Sequence, residues 1–243
     1  MKTLIVSAVA LALSAGAAFA DAHGKTVRLG TEGAYPPYNF LNDDGEVDGF
    51  ERHVGDELCK RAELKCEWVT NEWDSIIPNL VSGNYDAIIA GMSITDERKE
   101  VIDFSEGYTQ PDPSVFLAAS DDADLKTGVI AAQASTIQAS HVAEMKGATL
   151  LEFASPEETV AAVRDGEADA VLADKAFLAP IAEADDELSI VGESILIGGG
   201  IGVGVRQSDT ELRDKLTKAI QSMKKDGSLN KLIEKWLPES ETF

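Results

Sequence analysis

The chain has 243 residues, 43 acidic side chains against 21 basic ones, a formal net charge of −22 and 44% hydrophobic residues. So acidic a surface argues against nucleic acid and anionic membrane as partners, because both are bound largely through lysine and arginine. It reads first as a solvated coat, and the length suffices for two modest hydrophobic cores.

Residues 1–20, MKTLIVSAVALALSAGAAFA, contain one lysine and an apolar stretch that ends in Ala18-Phe19-Ala20. This is the pattern of a secretory signal and predicts cleavage after Ala20. No later stretch approaches the roughly 18 consecutive apolar residues of a membrane-spanning helix, so the exported part is expected to be soluble.

From residue 21 onward, short apolar runs alternate with amphipathic stretches, which predicts an α/β fold with parallel strands. Strands are expected over 27–31, 65–70 and 85–90, with helices over 50–62 and 74–82 between them. Asn42 to Gly49, NDDGEVDG, has the look of a truncated calcium loop. It lacks the ligand spacing and the closing glutamate, so a hairpin turn at Asp44-Gly45 is the better reading. Cys59 and Cys66 are the two cysteines, and export makes a disulfide their expected state. His23, His53 and His141 are scattered without ligand spacing, so no metal site is expected.

After Pro111-Asp112-Pro113 the pattern resumes, with strands expected over 114–118, 127–132, 149–153 and 168–173 and helices over 136–145 and 157–165. The stretches VSGNYDAIIA (Val81 to Ala90) and VRDGEADAVLA (Val163 to Ala173) echo each other, each running from a helix end through Gly and Asp into an apolar strand. The echo suggests two related lobes. A last strand follows Gly198-Gly199-Gly200. Leu212, Leu216, Ala219, Ile220 and Met223 then mark one helix, and a second ends near Trp236. The expected division is residues 21–110 and 194–243 in one lobe and residues 111–193 in the other, with a two-strand hinge near Gln110 and Gly198.

Open α/β sheets bind ligands beyond the carboxyl ends of their strands. The residues due there are Glu32 and Tyr35, Trp73, then Gly91, Ser93 and Arg98, and in the second half Thr136, Gln138 and Asp174. An arginine fork suits a carboxylate, an aspartate with a hydroxyl suits an ammonium, and flat aromatics suit a side chain between them, which together describe an amino acid. Each has a plainer alternative: Arg98 pairing with Asp96 or Glu100 on a solvated helix, Tyr35 and Trp73 as core aromatics, Thr136 and Asp174 as helix caps. Spacing alone does not separate the two readings. Gly91-Met92-Ser93-Ile94-Thr95 misses the GxSxG nucleophile elbow at its last position, and no histidine is placed as a base, so no catalytic set is expected.

Across TEGAYPPYNF (Thr31 to Phe40), GFERHVGDELCKRAELKCEW (Gly49 to Trp68), WDSIIPNL (Trp73 to Leu80), YDAIIAGMSITDERKEVIDFS (Tyr85 to Ser105), QASTIQ (Gln133 to Gln138) and GVGVRQSDTEL (Gly202 to Leu212), the chain resembles a known family. It is similar to the periplasmic solute-binding proteins, family 3, of polar amino-acid ABC transporters, which include lysine/arginine/ornithine-, histidine-, arginine- and opine-binding members. The resemblance implies a type II periplasmic binding fold, two α/β lobes closing like a Venus flytrap on a small ligand. It also implies a periplasmic location, an ABC transporter permease as partner, a monomer, no cofactor and no enzymatic activity. By the same resemblance, Arg98 with Ser93 and Thr136 holds the ligand carboxylate, and Asp174 with Ser93 and Gly91 holds the ammonium. Tyr35, Trp73 and Gln138 flank the side chain, and Glu32 marks members that take basic side chains. Ala90 and Gly91 stand where lysine-type relatives have serines, and SILIGGG (Ser194 to Gly200) is unlike theirs. The ligand expected is a basic L-amino acid. The alternatives are an opine or other modified amino acid, a dehydratase acting on arogenate or prephenate on the same scaffold, and a sensor that docks on a chemoreceptor or kinase.

Overall fold

A computed structural model describes residues 26–243, so the expected signal segment lies outside the described residues. The first lobe starts with β1 (Val27–Thr31), whose last three residues are buried, followed by a small antiparallel sheet of β2 (Ala34–Tyr35), β3 (Asn39–Leu41) and β4 (Val47–Asp48). The turn between β3 and β4 is the expected hairpin, closed by hydrogen bonds between Asn42 and Glu46. Next come α1 (Phe50–Arg61), β5 (Cys66–Thr70) and a 3₁₀ turn over Trp73–Ser75 that runs into α2 (Ile76–Val81). Then follow β6 (Ala87–Ile88), the short α3 (Asp96–Lys99) and β7 (Ile102–Gly107). A disulfide joins Cys59 near the end of α1 to Cys66 at the start of β5, with the Cα atoms 6.3 Å apart.

The second lobe contains β8 (Ser114–Ala118), β9 (Val129–Gln133), α4 (Ile137–Glu144), β10 (Thr149–Phe153), α5 (Pro156–Arg164), β11 (Ala170–Asp174), α6 (Lys175–Ala184) and β12 (Ser189–Ile195). Ser155 caps α5 in a reciprocal capping box with Glu158, which fixes where that helix starts. The chain then returns through β13 (Gly202–Arg206) to α7 (Thr210–Asp226) and α8 (Ser228–Trp236).

The two five-stranded sheets run β5-β1-β6-β13-β7 and β10-β9-β11-β8-β12. In the first, Leu29, Phe50, Val54, Leu58, Ile220 and Ile233 form a core on the side of α1, α7 and α8. Ile76, Leu80, Tyr85, Ile88 and Ile102 form another with α2. The sheets are mixed rather than parallel throughout. β13 pairs antiparallel with both β6 and β7, and β8 pairs antiparallel with both β11 and β12. The reason lies in the crossings: these strands carry the chain between lobes without an intervening helix, so they need not keep the direction that a βαβ unit imposes. β7 and β12 had no counterpart among the expected strands, and β6 is shorter than the expected 85–90, although the Asp86 and Ile89 amides still donate to the Arg28 and Gly30 carbonyls of β1.

The two crossings run side by side. The Tyr108 amide donates to the Ile201 carbonyl at 2.7 Å, and the Ile201 amide to Thr109 Oγ1 at 3.0 Å. A Cβ on Gly200 would lie 2.3 Å from the Thr109 carbonyl oxygen, so this close approach requires glycine.

The echo between the lobes has a structural counterpart. Asp86, before β6, accepts the amide of Arg28 at 3.1 Å while its own amide donates to the Arg28 carbonyl. Asp169, before β11, accepts the amide of Val129 at 2.7 Å and donates to the Val129 carbonyl. In both lobes an aspartate thus hooks one strand onto the start of its parallel neighbour, β6 onto β1 and β11 onto β9.

Candidate functional site

Glu32, Tyr35, Trp73, Gly91, Ser93, Arg98, Thr136, Gln138 and Asp174, all the residues expected at strand ends, line one cavity between the lobes, together with Ala90, Gln133 and Ile137. Its open space is about 30 Å³, room for about two waters. The first-lobe residues follow β1, β5 and β6, and the second-lobe residues follow β9 or end β11. Each lobe therefore turns the carboxyl edge of its parallel strands to the other.

Arg98 sits in α3, whose start is fixed by Thr95 accepting the Arg98 amide at 3.2 Å. Its side chain turns inward. Nη1 donates to the Ser93 carbonyl at 2.9 Å, and the guanidinium lies 5.4 Å from the centre of the Trp73 ring. Among the described residues Arg98 makes no ion pair, so the pairing with Asp96 or Glu100 does not occur. Asp96 pairs instead with Lys99. Burial pulls the Arg98 guanidinium down to about 10, while the negative charges of Asp174 and Glu97 oppose that shift. A partly buried cation without a carboxylate partner has donors available to an anion.

Asp174 faces it from the second lobe. Its Oδ2 accepts the Tyr35 hydroxyl at 2.8 Å and its Oδ1 accepts Gln138 Nε2 at 2.8 Å, so both oxygens are held. Burial raises the Asp174 carboxyl to about 6. The Tyr35 bond holds it down, the Asp112 charge adds to the rise, and Arg98 and Gln138 also lower it. Gln138 Nε2 also donates to Ser114 Oγ at 3.0 Å, which makes this glutamine an orienter of Asp174.

Glu32 is held in the same way. Gln133 Nε2, from the last residue of β9, donates to Glu32 Oε1 at 2.6 Å and to the Ala154 carbonyl at 3.1 Å. Burial raises the Glu32 carboxyl to about 7, against the Gln133 bond, with Glu72 and Glu51 adding to the rise. Tyr35 stacks on Phe177 at 4.6 Å and on Tyr38 at 5.7 Å between ring centres. Trp73 is buried, and its Nε1 donates to the Ser135 carbonyl at 3.3 Å. Thr136 is a helix cap: its Oγ1 accepts the Ala139 amide at 3.1 Å and donates to the Gln133 carbonyl at 2.6 Å. The hydroxyl is thus engaged in fixing the start of α4.

Gly91 lies at φ +63°, and its amide donates to Glu51 Oε1 at 2.6 Å. Glu51, in the first turn of α1, is fully buried. It also accepts the Tyr108 hydroxyl, and Asn39 Nδ2 at 2.7 Å, while Asn39 Oδ1 accepts the Gly33 amide at 2.7 Å. One carboxylate thus ties the loops after β1 and β6 to the hinge segment at Tyr108. Its carboxyl too is raised by burial, against these donors.

Sequence reasoning missed Gln133, Glu51 and Phe177. Gln133 had a usable signal, because it is the first residue past the strand expected to end at 132. Glu51 had none, since an acid in a first helical turn reads as a partner of the helix dipole. The cleft holds acid, base and hydroxyl groups, but no hydroxyl or thiol with an adjacent histidine, among the described residues.

The model of the "Bacterial extracellular solute-binding proteins, family 3" matches residues 27–239. The L-arginine-binding protein of Pseudomonas aeruginosa is 33% identical, over 97% of this chain and 96% of that one. A structure of "a periplasmic His/Glu/Gln/Arg/opine family-binding protein from Silicibacter pomeroyi in complex with lysine" is 65% identical, with a TM-score of 0.87, covering 89% of this chain and all of the other. The structure of an ancestral amino-acid-binding protein, described as a precursor of cyclohexadienyl dehydratase, is 32% identical with a TM-score of 0.78, covering 87% of this chain and 95% of that one.

Proposed function

We propose, for a chain that belongs to the bacterial extracellular solute-binding proteins of family 3, that it captures a basic L-amino acid in the periplasm and delivers it to an ABC importer as a monomer. The observation that carries this reading is the placement of Arg98, a cation with no ion-pair partner among the described residues, in one cavity with Asp174 and Glu32. Arg98 with Ser93 and the start of α4 takes the ligand carboxylate, and Asp174 takes the ammonium with Ser93 and the Gly91 carbonyl. Glu32 takes the cationic end of the side chain, beside Tyr35 and Trp73, and Gln138 acts through Asp174.

The contacts across the cleft support a mechanism of closure. Tyr35 to Asp174, Gln133 to Glu32 and Trp73 to Ser135 are hydrogen bonds that join one lobe to the other. With space for only about two waters in this cavity, an amino acid enters when the lobes part about the paired crossings, and its two charged ends then bridge them. Ligand shifts the balance toward closure because only the closed form presents Arg98 and Asp174 to the same zwitterion. The relatives reported above are named as amino-acid-binding proteins, and the structure 65% identical to this chain is described with lysine bound.

A thermal-shift panel of the twenty amino acids, ornithine, opines, prephenate and arogenate tests the reading. Lysine, ornithine and arginine should raise the melting temperature most. Stabilisation by opines alone would replace the ligand class, and turnover of prephenate or arogenate would overturn the assignment as a binding protein.

A further inference from the structure

We propose that Gln133 is a positioning residue that reserves one oxygen of Glu32, so that the site selects a terminal ammonium over a guanidinium. The inference rests on the reading of the cleft as a basic amino-acid site and goes beyond it by separating two ligands of equal charge.

Gln133 ends β9, is buried, and is fixed at its own end by the Ala154 carbonyl. Its second donation, at 2.6 Å, lands on Glu32 Oε1 from the opposite lobe. Glu32 Oε2 makes no hydrogen bond among the described residues. In a carboxylate presented this way Oε2 is fully open to a ligand, whereas Oε1 already commits one of its lone pairs to Gln133 and is the weaker second acceptor. A guanidinium gains most from carboxylates when two parallel N–H donors meet both oxygens, whereas an ammonium is a compact charge that is well served by a single oxygen.

The aromatic groups act in the same direction. A guanidinium also gains from stacking on a free ring face. Here Trp73 already carries the guanidinium of Arg98 over its ring, and Tyr35 is stacked on Phe177 and Tyr38. A long arginine side chain would therefore bring donors that neither Glu32 nor the rings can fully receive, and unmet buried donors are costly.

The groups around Glu32 define a second readout. The charged groups that bear on it are Glu72, in the turn before Trp73, and Glu51, in α1, and both disfavour its ionisation. Gln133 is the group that favours it. Replacing Gln133 by a side chain without donors moves the pH at which cationic ligands are lost upward, an effect that a purely structural defect would not produce.

The test is calorimetric titration of L-lysine, L-ornithine and L-arginine into ligand-free protein between pH 5.5 and 8, in wild type and in Gln133→Met, which keeps length and volume. Gln133→Leu serves as a second variant, and melting curves report folding of each. The wild type should bind lysine about tenfold or more tighter than arginine, the scale of one charge-assisted hydrogen bond. In Gln133→Met that ratio should fall toward one, and weakening of lysine binding should begin at higher pH. A lysine-to-arginine ratio that both variants leave unchanged, or a wild type that prefers arginine, overturns the inference while the basic amino-acid reading stands. No binding of any of the three ligands by folded wild type overturns that reading and the inference with it.

Discussion

The Tyr35 hydroxyl lies 2.8 Å from Oδ2 of Asp174, tying an aromatic of the first lobe to a carboxylate of the second. This bond lowers a carboxyl that burial has raised to about 6. In Tyr35→Phe the Asp174 carboxyl rises further, so amino-acid affinity should be nearly unchanged at pH 8 and fall about tenfold relative to wild type near pH 6. Titration calorimetry at the two pH values checks it, and an equal loss at both would show that the hydroxyl acts through packing alone.

Arg98→Ala should weaken every α-amino acid about 100-fold or more, because it leaves the bound carboxylate without its cation in a closed cleft. Cadaverine, which has no carboxylate, should bind weakly to wild type and variant alike. If the variant lost affinity for cadaverine as steeply as for lysine, Arg98 would be supporting the fold and not the ligand.

The Glu32 carboxyl sits at about 7 in the folded chain, against an ordinary value of 4.5. Its folded pKa is raised, so the folded state holds a proton that the unfolded chain has released, and ionising Glu32 costs stability as pH climbs from about 4.5 to about 7. Glu32→Gln should therefore be more stable than ligand-free wild type by about 1–3 kcal/mol at pH 8, with the gap closing by pH 5. Denaturant melts at both pH values measure the gap. Saturating lysine should reverse the order at pH 8.

Reducing the Cys59–Cys66 bridge, or replacing both cysteines by alanine, should cost about 2–3 kcal/mol through the freed unfolded chain. Ligand affinity at 20 °C should stay within about twofold, because the bridge joins the start of β5, the end of the sheet away from the cleft. A large loss of affinity with an intact fold would contradict that separation.

Much of this architecture was legible in local pattern. β8 and β10 fall on the expected residues, α4 and α5 lie within one residue of theirs at each end, and every expected cleft residue reaches the cavity. Pattern worked there because strand ends, caps and breaks are local chemistry. It failed at β7 and β12, whose half-polar sequences become strands only because a partner distant in sequence, β13 for β7 and β8 for β12, completes the sheet. It also failed at Glu51, whose three donors come from Asn39, Gly91 and Tyr108, spread along the chain and brought together by folding. Gln138 was found, but its partners could not be read from sequence, so its bond to Asp174 emerged only in three dimensions.

The aspartate hooks at Asp86 and Asp169 fasten each lobe at the strand ends remote from the ligand. Binding can consequently be lost in two separable ways. A substitution at the rim removes contacts from a lobe that remains intact, whereas one at a hook unravels a whole jaw whose rim is chemically unaltered. The first kind of variant should keep its hydrogen-exchange protection throughout, and the second should lose it in one half of the molecule. An observed drop in affinity thus acquires an address before any ligand is soaked in.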